Sequence, residues 1–326
     1  MDSFDHYGTT NLDAKYNSST AGCSISAGNG RNATAALLLS STGNLTKTLT
    51  ANAAVLIVGM AIKFTAFPAG ALNILNFYDS STRQSLINLN TNGTLAILRG
   101  DSPIPLSTST RSVQINAWHY LEFKITTGNA GSFEIRLDEE AILTLAGIDI
   151  QVSGNDYINN IRWVGQSSTY IDDLYACDAL GAVNNDYLGD IRVEALLPTS
   201  DATYSQWTPT VPGTHWNLVD DNPASMTDNI SDTVAGHIDT YGFSDLVTDS
   251  GDVLALQTLL YADKTDAGVR TVRDLVRVGG VDFTGDSKNV TTTPLYYIQV
   301  RENNPAGGVW LIAAVNAIEA GAELVL

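Results

Sequence analysis

Apolar residues along this chain recur with the period of strands. Leu37-Leu38-Leu39 and Val55-Leu56-Ile57-Val58 are short branched runs flanked by turn residues, and such runs read as buried strands. Leu86-Ile87-Asn88-Leu89-Asn90, then Thr91-Asn92-Gly93, then Thr94-Leu95-Ala96-Ile97-Leu98 reads as a hairpin, with Asn-Gly supplying the positive φ of its turn. From Trp118 to Ile125 the sequence alternates. Trp118, Tyr120 and Glu122 fall on one face, and His119, Leu121, Phe123 and Ile125 on the other. Phe133-Glu134-Ile135-Arg136-Leu137 alternates again, and strand patterns follow at 158–164, 170–176 and 189–196. Many short strands at such spacing predict a sandwich or barrel.

Residues 198–229 break the pattern. Pro198, Pro209, Pro212 and Pro223 stand there among Ser, Thr and Asp, which predicts a linker or a long irregular crossover. Beyond it, 253–262 alternates, Lys264-Thr265-Asp266-Ala267-Gly268 reads as a turn, 269–278 returns, and 295–301 is one more strand. Trp310, Ala314, Ala317 and Ile318 recur at helical spacing, and Gly321 can cap the end. The expected fold class is all-β: a sandwich over 1–197, then the crossover and a second, smaller β-sandwich over 198–326, with a short C-terminal helix and a last strand at 322–326.

Composition narrows the function classes. Of 326 residues 44% are hydrophobic and only 16% charged, so folding is expected and the surface is dressed by Ser, Thr, Asn and Gly. The formal net charge is −18. That excludes a nucleic-acid partner, whose phosphates need cations, and disfavours an anionic membrane surface. The most apolar stretch, 53–62, is too short for the roughly 20 residues that span a bilayer, so no membrane insertion is expected. Met1-Asp2-Ser3-Phe4-Asp5 lacks the basic start and apolar run of an export signal, which predicts a protein made in a cytoplasm. Cys23 and Cys177 are expected to be free thiols.

Several segments together carry a resemblance. Phe4-Asp5-His6-Tyr7, Trp118-His119-Tyr120-Leu121-Glu122-Phe123-Lys124, Gly131-Ser132-Phe133-Glu134-Ile135-Arg136-Leu137, Tyr170-Ile171-Asp172-Asp173-Leu174-Tyr175 and Leu188-Gly189-Asp190-Ile191-Arg192-Val193 with Leu197-Pro198 occur in that order. The order and spacing resemble a group of tailed-bacteriophage virion proteins built on the concanavalin-A-like lectin/glucanase (laminin-G-like) jelly roll. The first segment is similar to that group's opening strand, and Tyr204-Ser205-Gln206-Trp207-Thr208-Pro209 is similar to the stretch that leads into its second β-domain. The resemblance implies a concanavalin-A-like jelly-roll sandwich over 1–197 and a virion component made in the host cytoplasm. It implies a tail appendage, a fibre-associated part or an adaptor, assembled with other virion proteins and as a homo-oligomer. The alternatives are a capsid head decoration protein and a carbohydrate-binding adhesin that takes a host-surface glycan. A polysaccharide hydrolase ranks last.

Asp172 and Asp173 are adjacent in a strand, so they are expected on opposite faces and not as a cooperating acid–base pair. The inward one is expected to accept hydrogen bonds near the Phe4-to-Tyr7 segment. The functional alternative is a calcium site of Asp172 or Asp173 with Asp178, since hard oxygen ligands suit that ion; the structural reading weighs more, and no other cofactor is expected. Glucanases on this sandwich place carboxyls about 5 Å apart at alternating strand positions. That pattern is absent, and Asp138-Glu139-Glu140 reads as a solvated hairpin tip, so the chain is expected not to be an enzyme. His6, His119, His215 and His237 are scattered, with no H-E-x-x-H, G-x-S-x-G or phosphate-cradling loop. His119 is expected to be a hydrogen-bonded core histidine, and Gly28-Asn29-Gly30-Arg31 a tight turn. Tyr204, Trp207 and Trp216 are the candidate sugar-binding rings, with Asp220 or Asp221 for hydroxyls. The competing reading, that these rings pin the crossover, weighs more. Trp118, Trp163 and Trp310 read as core.

Overall fold

The computed structural model describes residues 1–8 and 11–326. The chain divides into two compact units, Met1–Asp5 with Tyr16–Val193 and His6–Lys15 with Glu194–Leu326. The expected boundary at 197 therefore moves to 193, because Glu194 is spent on the second unit. Its carboxylate accepts the backbone N–H groups of Val247, at 2.7 Å, and Thr248, at 3.0 Å. Residues 6–15 also join the second unit, where the Tyr7 ring meets Tyr296 edge-on at 5.6 Å. The Phe4-to-Tyr7 segment is thus no opening strand. Phe4 takes a φ of 60° and turns the chain, and only Asp2 pairs, with Leu174.

In the first unit two antiparallel sheets of seven strands face each other. Sheet I runs Ser18–Ser19, Asn44–Ala53, Ile158–Val164, Leu72–Asp79, Thr82–Leu89, Thr94–Arg99, Pro105–Ser112. Sheet II runs Glu140–Ile148, Gly131–Leu137, His119–Thr126, Val55–Phe64, Thr169–Asp178, Ala36–Leu39, Cys23–Ser26. Alternation decides which side chains meet between them. Leu45, Leu75, Phe77, Ile87, Ile97 and Trp163 from sheet I bury against Val58, Met60, Leu121, Phe123, Phe133 and Ile135 from sheet II. Phe77 and Phe133 touch edge to face, with centroids 5.8 Å apart. This is the expected all-β jelly-roll sandwich.

Local chemistry explains its turns. In the predicted hairpin Asn90 N–H donates to Thr94 O and Gly93 N–H to Asn90 O, and only Gly93 of the loop has positive φ, 81°. The connection is a three-residue loop with glycine in the left-handed position, rather than a two-residue Asn-Gly turn. A Cβ at Gly93 would lie 2.6 Å from Phe67 Cζ, so the glycine is also a packing requirement. Asp138 and Glu139, with φ of 51° and 69°, form the exposed hairpin tip expected of them.

The second unit carries the sheet Pro198–Ser205, Ile238–Phe243, Glu319–Leu324, Thr271–Val278, Val281–Thr284. Its smaller layer is the ribbon Leu256–Ala262 with Leu295–Arg301, from which Thr258 Oγ1 donates to Asp274 Oδ2 at 2.7 Å. Two expectations change here. Residues 253–262 and 269–278 do not form a hairpin, since each pairs with a later strand instead. Pro198–Ser205 is not irregular but an edge strand, where a proline's missing donor costs nothing. The short helix is Ile312–Asn316, and Gly321 lies within the final strand rather than at the helix end. A Cβ there would fall 1.8 Å from Asp239 O, so the close approach of two strands demands the glycine. Trp310 and Val276 centre the core, as Trp163 does in the first unit. Trp118 is only half-buried; its ring lies 4.8 Å under the Lys63 ammonium. Cys23 and Cys177 are not bridged to each other, and the Cys23 thiol donates to Asn44 O at 3.2 Å.

Candidate functional site

The outer face of sheet II is closed by the chain itself. Residues 179–193 form no strand and run as a strap over Ile57, Ala61, Tyr120 and Tyr175. Glu122 points outward from its strand, yet is 1% exposed. Its Oε1 accepts the Tyr175 hydroxyl at 2.5 Å and Gly189 N–H at 2.9 Å. The same Tyr175 oxygen accepts Leu188 N–H at 3.1 Å. Tyr187 lies under the Arg136 guanidinium, 3.7 Å from its ring centroid, and Lys124 Nζ pairs with Asp186 at 2.8 Å. Arg31 closes the far end of the strap, with Nη2 to Asp190 at 2.6 Å and Nη1 to Ile191 O at 3.1 Å. The turn expected of Gly28-Asn29-Gly30-Arg31 therefore also holds a tether. Four of the motif segments quoted above meet in this one network.

Asp172 and Asp173 belong to it as well, and here the alternation argument fails. A β-bulge lies between Asp172 and Tyr175, and Asp173 takes a left-handed φ of 46°. Both carboxylates are buried, at 1% and 2% exposure. Asp172 accepts Arg31 N–H and Asp173 N–H, both at 2.8 Å; Asp173 accepts Val193 N–H at 2.8 Å and faces Arg31 Nη1 at 3.4 Å. Burial pushes Asp172 up to about 7, with the Asp173 charge adding to it against the two N–H donors. Burial likewise raises Asp173 to about 6, opposed by Val193 N–H and by Arg31 and Arg192. In the N-terminal segment Asp2 accepts Phe4 N–H and the Tyr16 hydroxyl, and the Asp5 charge acts on Asp172. Asp178 caps the following turn through Leu180 N–H at 3.0 Å. The calcium set Asp172, Asp173 and Asp178 is not assembled, and no group of three or more His, Cys, Asp or Glu suited to a metal occurs among the described residues.

Tyr175 stands directly on Gly59, and this gives a test of the strap's footing. A Cβ at Gly59 would lie 2.0 Å from Tyr175 Cε1, and the ring cannot swing away while its hydroxyl is held from both sides. Gly59→Ala is expected to cost about 3 kcal/mol, the upper end for an overpacked core. Urea denaturation should measure it, and a loss below about 0.5 kcal/mol would mean that the ring has room to move.

The candidate sugar rings serve the second unit. Trp207 packs on Val272 and Leu324 and donates its indole N–H to His237 O at 3.1 Å. Tyr204 donates to Asp282 at 2.7 Å beneath Arg277. Val272 and Arg277 are five positions apart on one strand, roughly 17 Å, so the two rings are tied to opposite ends of it. Trp216 opens a short 3-10 helix and gives its backbone N–H to Asp201 at 2.7 Å. They pin the crossover and do not make one platform. Beside them Ser205 Oγ, His215 and buried Asp239 come together at 3.2 and 2.5 Å. Both partners meet Nδ1 of His215, whereas a nucleophilic relay needs them on opposite ring nitrogens. His119 is satisfied as expected, by Asp138 at Nδ1 and Gln114 N–H at Nε2, but at a strand end rather than in the core.

On the outer face of sheet I the side chains themselves close the surface, and Thr46, Asn76, Tyr78, Leu86 and Leu98 are all buried. Register sets a row across five strands: Thr46, Arg162, Asn76, Leu86, Leu98. Beside it run Thr48, Asn160 and Tyr78. Arg162 lies over the Tyr78 ring at 4.9 Å, and Arg83 reaches the same tyrosine, Nε to Oη at 3.3 Å. Asn76 and Asn160 each have a buried amide oxygen with no hydrogen-bond partner. The row ends in a cavity of about 370 Å³ whose lining includes Asn73, Arg83, Asn88 and Asp101. Gln84, fully buried, ties its strand to residues 152, 153, 155 and 157.

No protein-family model matches the chain, and no curated protein matches it. Among solved structures it is similar to an endo-β-1,4-glucuronan lyase from the fungus Trichoderma reesei, at 15% identity over 54% of this chain and 95% of that one, with a TM-score of 0.42. It is similar to the alginate lyase Aly36B at 12% identity, covering 53% of this chain and 92% of that one, with a TM-score of 0.38. It is also similar to a carbohydrate-binding module from Bacillus subtilis at 13% identity, covering 43% and 85%, with a TM-score of 0.32. Likeness at this level says nothing of activity.

Proposed function

We propose that this chain is a non-enzymatic structural component of a bacteriophage virion, of the tail-appendage or adaptor kind, that attaches to saccharides on a host surface. The observation that carries the attachment is the cavity of about 370 Å³ at the end of the outer row of sheet I, lined among others by Asn73, Arg83, Asn88 and Asp101. Amides, a guanidinium and a carboxylate around one cavity suit sugar hydroxyls, which offer donors and acceptors a few ångströms apart. The virion role rests on the motif resemblance, and its support is that those segments act as one unit in tethering the strap. A non-enzymatic reading is favoured by the hairpin-tip position of Asp138, Glu139 and Glu140 and by the shared nitrogen of His215.

A glycan array with the intact chain is the test, followed by incubation of each bound glycan with the protein. Binding without release of sugar ends is expected; cleavage would remove the non-enzymatic reading, and a blank array the attachment. Gold-labelled antibody to the chain should mark particles at the tail. Label over the head would favour decoration, and unlabelled particles would end the virion role.

A further inference from the structure

Two exposed apolar elements border the cavity at the end of the sheet I row. Leu72 is 48% exposed, and Pro103, Ile104, Pro105 and Leu106 follow one another on the surface, with Ile104 at 73%. Leu72 and Pro103 line the cavity, and Leu86 and Leu98, opposite each other in register, line it from the buried side. Ser102 Oγ accepts Ile104 N–H at 3.2 Å, which fixes the turn that carries Pro103 to the rim. Aliphatic side chains gathered on a surface otherwise rich in Ser, Thr and Asn mark a place that a ligand covers.

The polar side of the cavity carries no net charge. Arg83 pairs with Asp101 at 3.0 Å and reaches Tyr78 Oη, so neither ion calls for a charged ligand. Asn73 and Asn88 are direct cross-strand partners, and both are half-buried rather than sealed. Among the described residues no protein group holds either side-chain amide; Gln166 Nε2 goes to the backbone oxygen of Asn73. Each amide therefore has its acceptor and its two donors to offer. Leu86 and Asn88 are two positions apart on one strand, roughly 7 Å, the reach of a pyranose with its substituents. The flat C–H face of a plain hexose suits an aromatic ring, and none of the described residues lining the cavity is aromatic. An aliphatic corner suits a methyl group instead, whereas a hydroxyl turned into it would lose water without gaining a partner.

We propose that the saccharide taken by this cavity is an uncharged pyranose bearing a methyl group, with the methyl between Leu72 and Pro103 and ring hydroxyls on Asn73 and Asn88. This rests on the reading of the cavity as a glycan site and names the class of glycan. The shared chemistry is one methyl beside a hydroxylated ring, which a 6-deoxyhexose or the N-acetyl group of a hexosamine supplies.

The intact chain is titrated, with ligand-observed NMR as the readout, against three matched pairs that differ only by CH3 against CH2OH. These are L-rhamnose and L-mannose, L-fucose and L-galactose, and N-acetylglucosamine and N-glycolylglucosamine. The expected result is that at least one methyl probe binds about tenfold or more tighter than its hydroxylated partner, with saturation transfer strongest at the methyl. Which pair shows the preference identifies the source of the methyl. Leu72→Ser, a change at an exposed position, should abolish the preference and leave the binding of the hydroxylated partner. A preference that survives Leu72→Ser would overturn the placement. Equal binding within every pair, or binding of none of the six while the glycan array shows only glycans without a methyl, would overturn the methyl assignment and leave the glycan site standing. Binding of none of the six with a blank array would overturn both. Because each pair is compared on the unaltered chain, the preference itself does not depend on how the variant folds.

Discussion

Asp239→Ala is expected to unfasten the second unit. Asp239 is fully buried and accepts Gln206 N–H at 2.5 Å, Trp207 N–H at 2.7 Å, His215 Nδ1 at 2.5 Å and the Tyr241 hydroxyl at 3.2 Å. Alanine would take the acceptor from Trp207 N–H and the Tyr241 hydroxyl, and would leave Gln206 N–H only Ile238 O and His215 Nδ1 only Ser205 Oγ. Removing one partner of such a set costs about 3 to 5 kcal/mol, most of it the desolvation of what remains. The first consequence would be local, because these bonds turn the chain out of Pro198–Ser205 and aim Trp207 at Val272. Tryptophan fluorescence in urea should show the loss, and limited proteolysis should cut between residues 206 and 237. Asp239→Asn keeps one acceptor oxygen and should cost less. A variant within about 1 kcal/mol of the parent, with no new cleavage, would mean that water replaces the carboxylate.

Acidification should stabilise the first unit. Asp172 and Asp173 sit near 7 and 6 in the folded protein, against 3.8 for an ordinary aspartate. Between those values the folded chain binds more protons than the unfolded one, so stability falls as pH rises through about 4 to 7 and is regained on going from pH 8 to pH 5. The displacement of Asp173 alone is worth roughly 3 kcal/mol. Asp5, also raised by burial, adds to the same trend. Asp79 and Asp186, held below the ordinary value by hydrogen bonds that outweigh burial and by Lys124 respectively, oppose it only at lower pH. Thermal unfolding at pH 5 and pH 8 measures the effect. A midpoint that is unchanged or lower at pH 5 would contradict the buried, charged pair, and Asp173→Asn should flatten the dependence.

What could be read in the sequence follows from how far apart the interacting residues lie. Phe133 to Leu137 alternates so cleanly that its strand, its inward face and its partner's period were all legible. So were the strand Leu295–Arg301 and the short helix after Trp310. The bulge at Asp173 was not, because alternation assumes a straight strand and a single left-handed residue resets it. Arg31 was read as part of a turn, since its partners Asp190 and Ile191 are 159 and 160 positions away and nothing local announces them. The strap has no period at all. The outer row of sheet I escaped for a related reason. Thr46, Arg162 and Asn76 come from three strands that only the order of sheet I makes neighbours, and each alone looks like ordinary surface. Tyr204, Trp207 and Trp216 drew attention because they cluster in sequence, which is a poor guide to clustering in a sandwich.

The division of the chain sets an order of events during its synthesis. Tyr7 is made 289 residues before Tyr296, its ring partner in the second unit. At about 5–20 residues per second, that segment waits roughly 15 to 60 s with its apolar side chains uncovered. The sandwich from Tyr16 to Val193 can close in the meantime, leaving the early segment as a loop thrown out between two settled ends. A fragment stopped at residue 193 would keep that segment permanently bare, which makes the first unit a poor candidate for expression by itself and the later-made strand at 295–301 a chaperone for a segment that precedes it by nearly 300 residues.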